Sequence, residues 1–270
     1  MSSIALSVRD VGITFGGVAA LEDVSVDFPS GEIIGIIGPN GAGKTTLLNV
    51  ISGMAVPDSG EVHLGEQRLT GLKPNRIAAL GLRRTFQSSQ LFSGMSVLEN
   101  MMTGLHLRST TGIFGAIIGT ARMRAEEAEM RERALEALDF VGFRHFADRP
   151  GDALSFGQQR IIEIARTLIY EPKVVLLDEP AVGLSVNRVA ELDALLRQIR
   201  DERGVTLIMI EHVIRLVMGV SDRVVVLNSG RKIAEGLPDE VRNDATVVEA
   251  YLGHQGGNEE GQHSGGHADA

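Results

Sequence analysis

The chain has 270 residues, 43% of them hydrophobic and 23% charged, a composition that supports a globular protein with a sizeable core. It contains no cysteine, which excludes disulfides, thiolate metal sites and cysteine nucleophiles and fits a reducing compartment. A formal net charge of -9, only 4% aromatics and the absence of Trp argue against a nucleic-acid partner, which needs a basic face or stacking platforms.

In chain order, the N-terminus lacks a basic region followed by a long apolar run, so no signal peptide is expected. Every apolar stretch is broken by charge or glycine before the roughly 18 residues that a spanning helix needs. Residues 5–8, 24–28 and 33–37 read as strands, separated by Gly16-Gly17 and Pro29-Ser30-Gly31. The last of them, Ile33-Ile34-Gly35-Ile36-Ile37, is apolar without alternation, as in a parallel-sheet strand covered on both faces. A glycine-rich turn leads into a helix over 45–52. Pro57-Asp58-Ser59-Gly60 then turns the chain into a strand pair near 61–64.

From about residue 88 to 152 the pattern is helical, and residues 123–141 are rich in the helix formers Ala, Glu, Arg and Leu. The apolar stretch from Gly112 to Gly119 reads either as core packing or as a surface for a membrane partner. Strands at 174–178, 205–210 and 223–227 then alternate with a helix over 187–203, which gathers Leu192, Leu195, Leu196 and Ile199 on one face. Such alternation predicts an α/β fold with a mainly parallel sheet. From His254 to the end no apolar periodicity remains, so residues 254–270 are expected to be a disordered tail, with His254, His263 and His267 read as solvated.

Two motifs carry chemistry. Gly38-Pro39-Asn40-Gly41-Ala42-Gly43-Lys44-Thr45-Thr46 follows a buried strand and opens a helix. That is the context of a phosphate-binding loop, in which glycines let backbone N–H groups turn towards an anion. Lys44 adds a point charge for the terminal phosphates, and the Thr45 hydroxyl is placed for magnesium. The second motif, Val174-Val175-Leu176-Leu177-Asp178-Glu179, ends an apolar strand in two carboxylates. At the C-terminal edge of a parallel sheet, Asp178 is suited to magnesium and Glu179 to orienting an attacking water.

With these motifs the chain resembles the ATP-binding subunit of ABC transporters, from about residue 4 to residue 253. Leu154-Ser155-Phe156-Gly157-Gln158-Gln159-Arg160 matches the ABC signature that opens a helix, although Ser155 has a plain role as an N-cap as well. Gln87, in Arg84-Thr85-Phe86-Gln87, matches the Q-loop glutamine, and His212, in Ile210-Glu211-His212, matches the switch histidine. Phe15 matches the aromatic that stacks on adenine, and core packing is its other reading. Phe156 replaces the first glycine of the commoner signature, and Ser185 stands where many members carry Asp or Asn.

The resemblance implies a P-loop NTPase core spanning residues 1–253, with an antiparallel β subdomain and an inserted α-helical subdomain over about 88–155. It implies ATP and magnesium as cofactors, with Ser155, Gly157 and Gln158 facing the nucleotide of a second ATPase subunit, identical or related. Gln87 joins Thr45 and Asp178 around the metal, and Glu179, His212 and Lys44 are the catalytic set. Integral membrane permease subunits and, indirectly, an extracytoplasmic solute-binding protein are the implied partners, with the ATPase peripheral on the cytoplasmic face of the inner membrane. More narrowly the chain resembles the first of the paired ATPase subunits of branched-chain amino acid importers. That likeness rests on Arg83-Arg84-Thr85-Phe86-Gln87, the signature segment, Val217-Met218-Gly219-Val220-Ser221-Asp222-Arg223 and Ala250-Tyr251-Leu252-Gly253. A urea or amide importer, or a lipid or lipopolysaccharide exporter, remains the alternative.

Overall fold

The structure, a computed structural model, describes residues 3–85, 91–103 and 121–252. Among the described residues ten strands form two sheets: β1 (Ile4–Phe15), β2 (Val18–Pro29), β3 (Ile33–Ile37), β4 (Ser59–Leu64), β5 (Gln67–Arg68), β6 (Leu82–Arg84), β7 (Val174–Asp178), β8 (Thr206–Ile210), β9 (Arg223–Asn228) and β10 (Arg231–Gly236).

The antiparallel sheet has the order β2-β1-β4-β5. Its two long strands differ from the short ones read in the sequence. They continue to the Gly16-Gly17 turn because polar pairs sit at irregularities of the ladder instead of ending it. Asp10 and Asp23 have φ of 50° and 53°, and the register shifts between Val8 and Val11. The Asp10 N–H donates to Ser25 Oγ at 2.8 Å, which supplies the partner that the shift removes.

The larger sheet has the order β10-β9-β3-β8-β7-β6 and is parallel except for β10. Strands β3, β7 and β8 are buried at every position, as their unbroken apolar runs require. One face packs with the antiparallel sheet and helix Lys44–Ile51 around Val8, Val26, Phe28, Ile34, Leu47 and Leu48. The other packs under helix Val186–Arg203, where Leu192, Leu195, Leu196 and Ile199 are all buried on the expected face.

A third core joins Val97, Leu98 and Met101 of helix Val97–Thr103 to Ala134, Ala137 and Leu138 of helix Ala121–Phe140. Helix Phe156–Leu168 serves two cores. Ile161, Ile164 and Leu168 face the sheet, while Ile162 and Ala165 face the helical lobe. No helix among the described residues is long and apolar enough to cross a membrane. The stretch from Gly112 to Gly119 and residues 254–270 lie outside the described residues.

Because β3, β8, β7 and β6 are neighbours and parallel, their C-terminal ends form one rim. The phosphate loop leaves β3 there, and Arg84, Asp178 and the Glu211-His212 pair end or follow β6, β7 and β8. That rim is where open α/β sheets present ligand-binding groups.

Candidate functional site

The loop between β3 and helix Lys44–Ile51 can only be built from glycine at its key positions. Gly38 and Gly43 have φ of 151° and 97°. A Cβ on Gly38 would lie 2.0 Å from the Leu227 carbonyl oxygen, and one on Gly43 would lie 2.5 Å from that of Ala20. The Gly230 N–H donates to the Ala42 carbonyl at 3.1 Å, which ties the loop to the turn between β9 and β10. Lys44 is buried and wraps back over the loop, its Nζ donating to the carbonyls of Gly38 and Pro39 at 2.7 and 2.9 Å. Burial pushes the Lys44 ammonium below its usual pKa, and the negative charge of Glu179 works against that shift. Asn40, Gly41 and Thr45 are exposed at the loop's surface, and Thr46 is half-buried in the first helical turn.

Across the rim, Glu179 and His212 meet side chain to side chain. His212 Nε2 lies 2.9 Å from Glu179 Oε1, with the carboxylate side chain 14% exposed. Glu179 has φ 47°, an uncommon conformation for a residue with a side chain, and its surroundings hold it there. Its N–H donates to the Ile210 carbonyl at 2.9 Å. Arg160, wholly buried, donates to the carbonyls of Asp178, Glu179 and Pro180 at 3.2, 2.7 and 3.3 Å. Glu211, also buried, accepts from the N–H groups of Ala181, His212 and Val213, so one carboxylate joins the turn after Glu179 to the turn that carries His212.

Asp178 is buried at the end of β7, with Oδ2 2.7 Å from Arg84 Nη2. Sequence analysis named Arg84 and Arg160 only as members of motifs and Glu211 only beside His212, and gave none of them a role. A charged residue in such a segment reads as solvated until the fold encloses it.

Ser155 caps helix Phe156–Leu168 in a reciprocal box. The Gln158 Oε1 accepts from the Ser155 N–H at 2.9 Å, and the Ser155 Oγ faces the Gln158 N–H at 3.4 Å. Phe156 rests against the turn at Gly183, where a Cβ would meet its ring at 3.2 Å, and a Cβ on Gly157 would meet Leu184 at 3.1 Å. The signature segment and residues 181–184 are thus packed together within the chain. No hydrogen bond or ion pair among the described residues joins Ser155 or Gly157 to residues 38–46. Phe15 is 54% exposed at the end of β1, so core packing is not its role. Gln87 lies outside the described residues.

The oxygen donors of this rim, the Thr45 hydroxyl and the Asp178 carboxylate, suit a hard cation such as magnesium. Among the described residues no group of three or more His, Cys, Asp or Glu is arranged to hold a metal by itself. Magnesium is held through one or two carboxylates with substrate phosphates completing its shell, a role open to the buried Asp178 carboxylate with the Thr45 hydroxyl beside the phosphate loop. The donor set therefore fits the ion.

Residues 21–182 match the ABC transporter family, and residues 231–256 match the family described as branched-chain amino acid ATP-binding cassette transporter. The chain is 41% identical over 253 residues to the high-affinity branched-chain amino acid transport ATP-binding protein LivG of Salmonella typhimurium, covering 94% of this chain and 99% of that one. Its backbone is similar to the crystal structure of the ADP conformation of MJ1267, an ATP-binding cassette of an ABC transporter, with a TM-score of 0.82, 33% identity and coverage of 93% and 100%. It is also similar to a dimeric ATP-binding cassette, MJ0796, bound to ADP and Pi, with a TM-score of 0.71, 26% identity and coverage of 86% and 98%.

Proposed function

The chain belongs to the ABC transporter family of ATP-binding proteins, and from that premise we propose that it hydrolyses ATP to drive a membrane importer of branched-chain or related hydrophobic amino acids. The carrying observation is the 2.9 Å contact between His212 and Glu179 on adjacent strand ends, beside a phosphate loop whose lysine responds to the Glu179 charge. A carboxylate so placed holds the attacking water and accepts its proton, and His212 orients the carboxylate and donates to the terminal phosphate.

The loop's N–H groups from Gly41 to Thr46 and the Lys44 ammonium cradle the phosphates, with Gly38, Pro39 and Asn40 shaping the loop and Phe15 offering its face to the adenine. Thr45, Gln87 and Asp178 are the residues that would hold magnesium, which when bound would withdraw charge from the phosphate oxygens. Ser155, Gly157 and the Gln158-capped helix start act on the nucleotide of a second ATPase subunit. This reading is supported by the absence, among the described residues, of a hydrogen bond or ion pair from Ser155 or Gly157 to residues 38–46 of their own chain, and by the dimeric form of the similar cassette. ATP then closes the pair, because its phosphates gain donors from both halves.

The helical lobe, within about 88–155, receives the permease, and an extracytoplasmic binding protein selects the solute. The match of residues 231–256 favours amino-acid import over the urea, amide or lipid alternatives. The test is to purify the chain with its permease, reconstitute the complex in vesicles and measure phosphate release. Stimulation by a binding protein loaded with leucine, isoleucine or valine is expected. Stimulation by urea or lipid alone, with no response to these amino acids, would overturn the assignment.

A further inference from the structure

We propose that Arg84 is a positioning residue for the metal site: it locks the Asp178 carboxylate to the far end of the phosphate-loop helix, so that two of the ion's three protein donors, Thr45 and Asp178, are held at a fixed separation. This rests on the reading of Thr45 and Asp178 as metal donors.

Arg84 is the last residue of β6, the edge strand, and pairs with Leu176 of β7, two residues before Asp178. From there its guanidinium spans two elements. Nη2 donates to Asp178 Oδ2 at 2.7 Å, while Nη1 donates to Asn49 Oδ1 at 2.7 Å and to Ser52 Oγ at 3.1 Å. Asn49 lies in the helix Lys44–Ile51 and Ser52 directly follows it. The Ser52 hydroxyl in turn donates to the Leu48 carbonyl at 2.7 Å. The first turn of that same helix carries Lys44 and Thr45.

The Arg84 and Asp178 side chains are 9% and 5% exposed, so this is not a solvated ion pair of small consequence. The planar fork makes the two connections from two separate nitrogens, Nη1 and Nη2, a spacing that the one nitrogen of a lysine on its shorter stem does not reproduce. Two results follow for Asp178. With Oδ2 occupied, the carboxylate cannot swing, and it offers its other oxygen in one orientation. With the same guanidinium anchored on Asn49, the end of β7 cannot drift from the helix that carries Thr45. Magnesium tolerates little scatter in its shell, taking near-octahedral ligands at about 2.0–2.1 Å. Groups that orient first ligands in this way typically change metal affinity by about 10- to 100-fold when altered.

The test is the gain in nucleotide affinity that magnesium confers, read with a ribose-linked methylanthraniloyl ATP analogue titrated in EDTA and again in magnesium. Arg84→Lys is expected to bind the analogue in EDTA as the native chain does and to lose about tenfold or more of the magnesium gain. Asn49→Leu, which leaves the bond between Arg84 and Asp178 in place, is expected to lose part of it, and serves if Arg84→Lys does not fold. An unchanged magnesium gain in these variants overturns the proposal, as does an equal loss in EDTA and in magnesium, which marks a purely structural role. Asp178→Asn separates the two levels. If it keeps the full magnesium gain, the reading of Asp178 itself is wrong. If it loses the gain while Arg84→Lys keeps it, only the role of Arg84 is wrong. Adding Arg84→Lys to Asp178→Asn is expected to change nothing further, because Arg84 acts through that carboxylate.

Discussion

Arg160 holds Glu179 by its backbone: Nη2 donates to the Glu179 carbonyl at 2.7 Å, in a guanidinium that also binds the carbonyls of Asp178 and Pro180. Arg160 closes the signature segment, while Ser155 and Gly157 open the same helix. The helix start that is proposed to act on a partner's nucleotide is therefore tied, within one chain, to the turn that aims Glu179. The bond also explains how a non-glycine residue keeps a φ of 47° at this point.

Arg160→Lys should keep the charge and lose the three-carbonyl grip. Misplacing a reacting group by about 1 Å costs on the order of 10²-fold in rate. We expect kcat for phosphate release to fall by about that factor, with ATP affinity unchanged. Arg160→Ala removes one member of a buried ion pair with Glu163 and should cost about 3–5 kcal/mol of stability. Steady-state kinetics with a urea titration check both. A Lys variant with native kcat would show that the grip on Glu179 does not aim it.

Glu179→Gln keeps the size and the hydrogen-bonding capacity of the side chain but removes the proton acceptor. A positioned acid–base group contributes about 10²–10⁴-fold, so turnover should fall by that range while ATP still binds. With hydrolysis stopped, ATP should hold two subunits together, giving a dimer on a sizing column that ADP does not produce. Turnover at the native rate would remove Glu179 from the water-positioning role.

The loop and the acidic strand end were legible because their chemistry is local. The glycines, Lys44 and Thr45 of the loop stand next to one another in the sequence at the spacing that a phosphate loop needs, and an apolar run ending in Asp178-Glu179 marks the end of a buried strand. Features that depend on distant contacts were not legible. The lengths of β1 and β2 were hidden by Arg9-Asp10 and Glu22-Asp23, polar pairs that the fold places at ladder irregularities. Strand β6 was missed because two of its three residues are arginines, one of which, Arg84, is enclosed only when β7 and the phosphate-loop helix come together. The same holds for Glu211, whose three backbone donors come from both sides of the rim. Phe15 was open to two readings in the sequence, and its exposure removes the core one.

Lys44→Ala should abolish the effect of nucleotide on stability. A ligand at 100 times its dissociation constant stabilises the folded state by about 2.7 kcal/mol. Native protein should therefore melt several degrees higher with ATP and magnesium than without, and the variant should show no difference. Because burial disfavours the Lys44 ammonium, the variant alone is not expected to melt much lower than the native chain. A ligand-dependent shift that survives the substitution would contradict the assignment of the loop.

Gly35 lies in the central strand β3 for reasons of space. A Cβ there would fall 2.3 Å from Val217 Cγ1 and 2.8 Å from Ser221 Oγ, so the helix Ile214–Val220 crosses the strand at a distance that only glycine allows. That helix begins just after the turn held by Glu211, so pushing it outward would also disturb His212. Gly35→Ala should cost about 1–3 kcal/mol, the usual penalty for overpacking a filled core. Val217→Ala removes the atom that is struck, and the two changes together should cost less than the sum of the two alone, with a coupling of about 0.5–3 kcal/mol. Urea midpoints for the two single variants and the double variant measure this directly. Simple additivity would mean that the close approach of Val217 is not what requires glycine at residue 35.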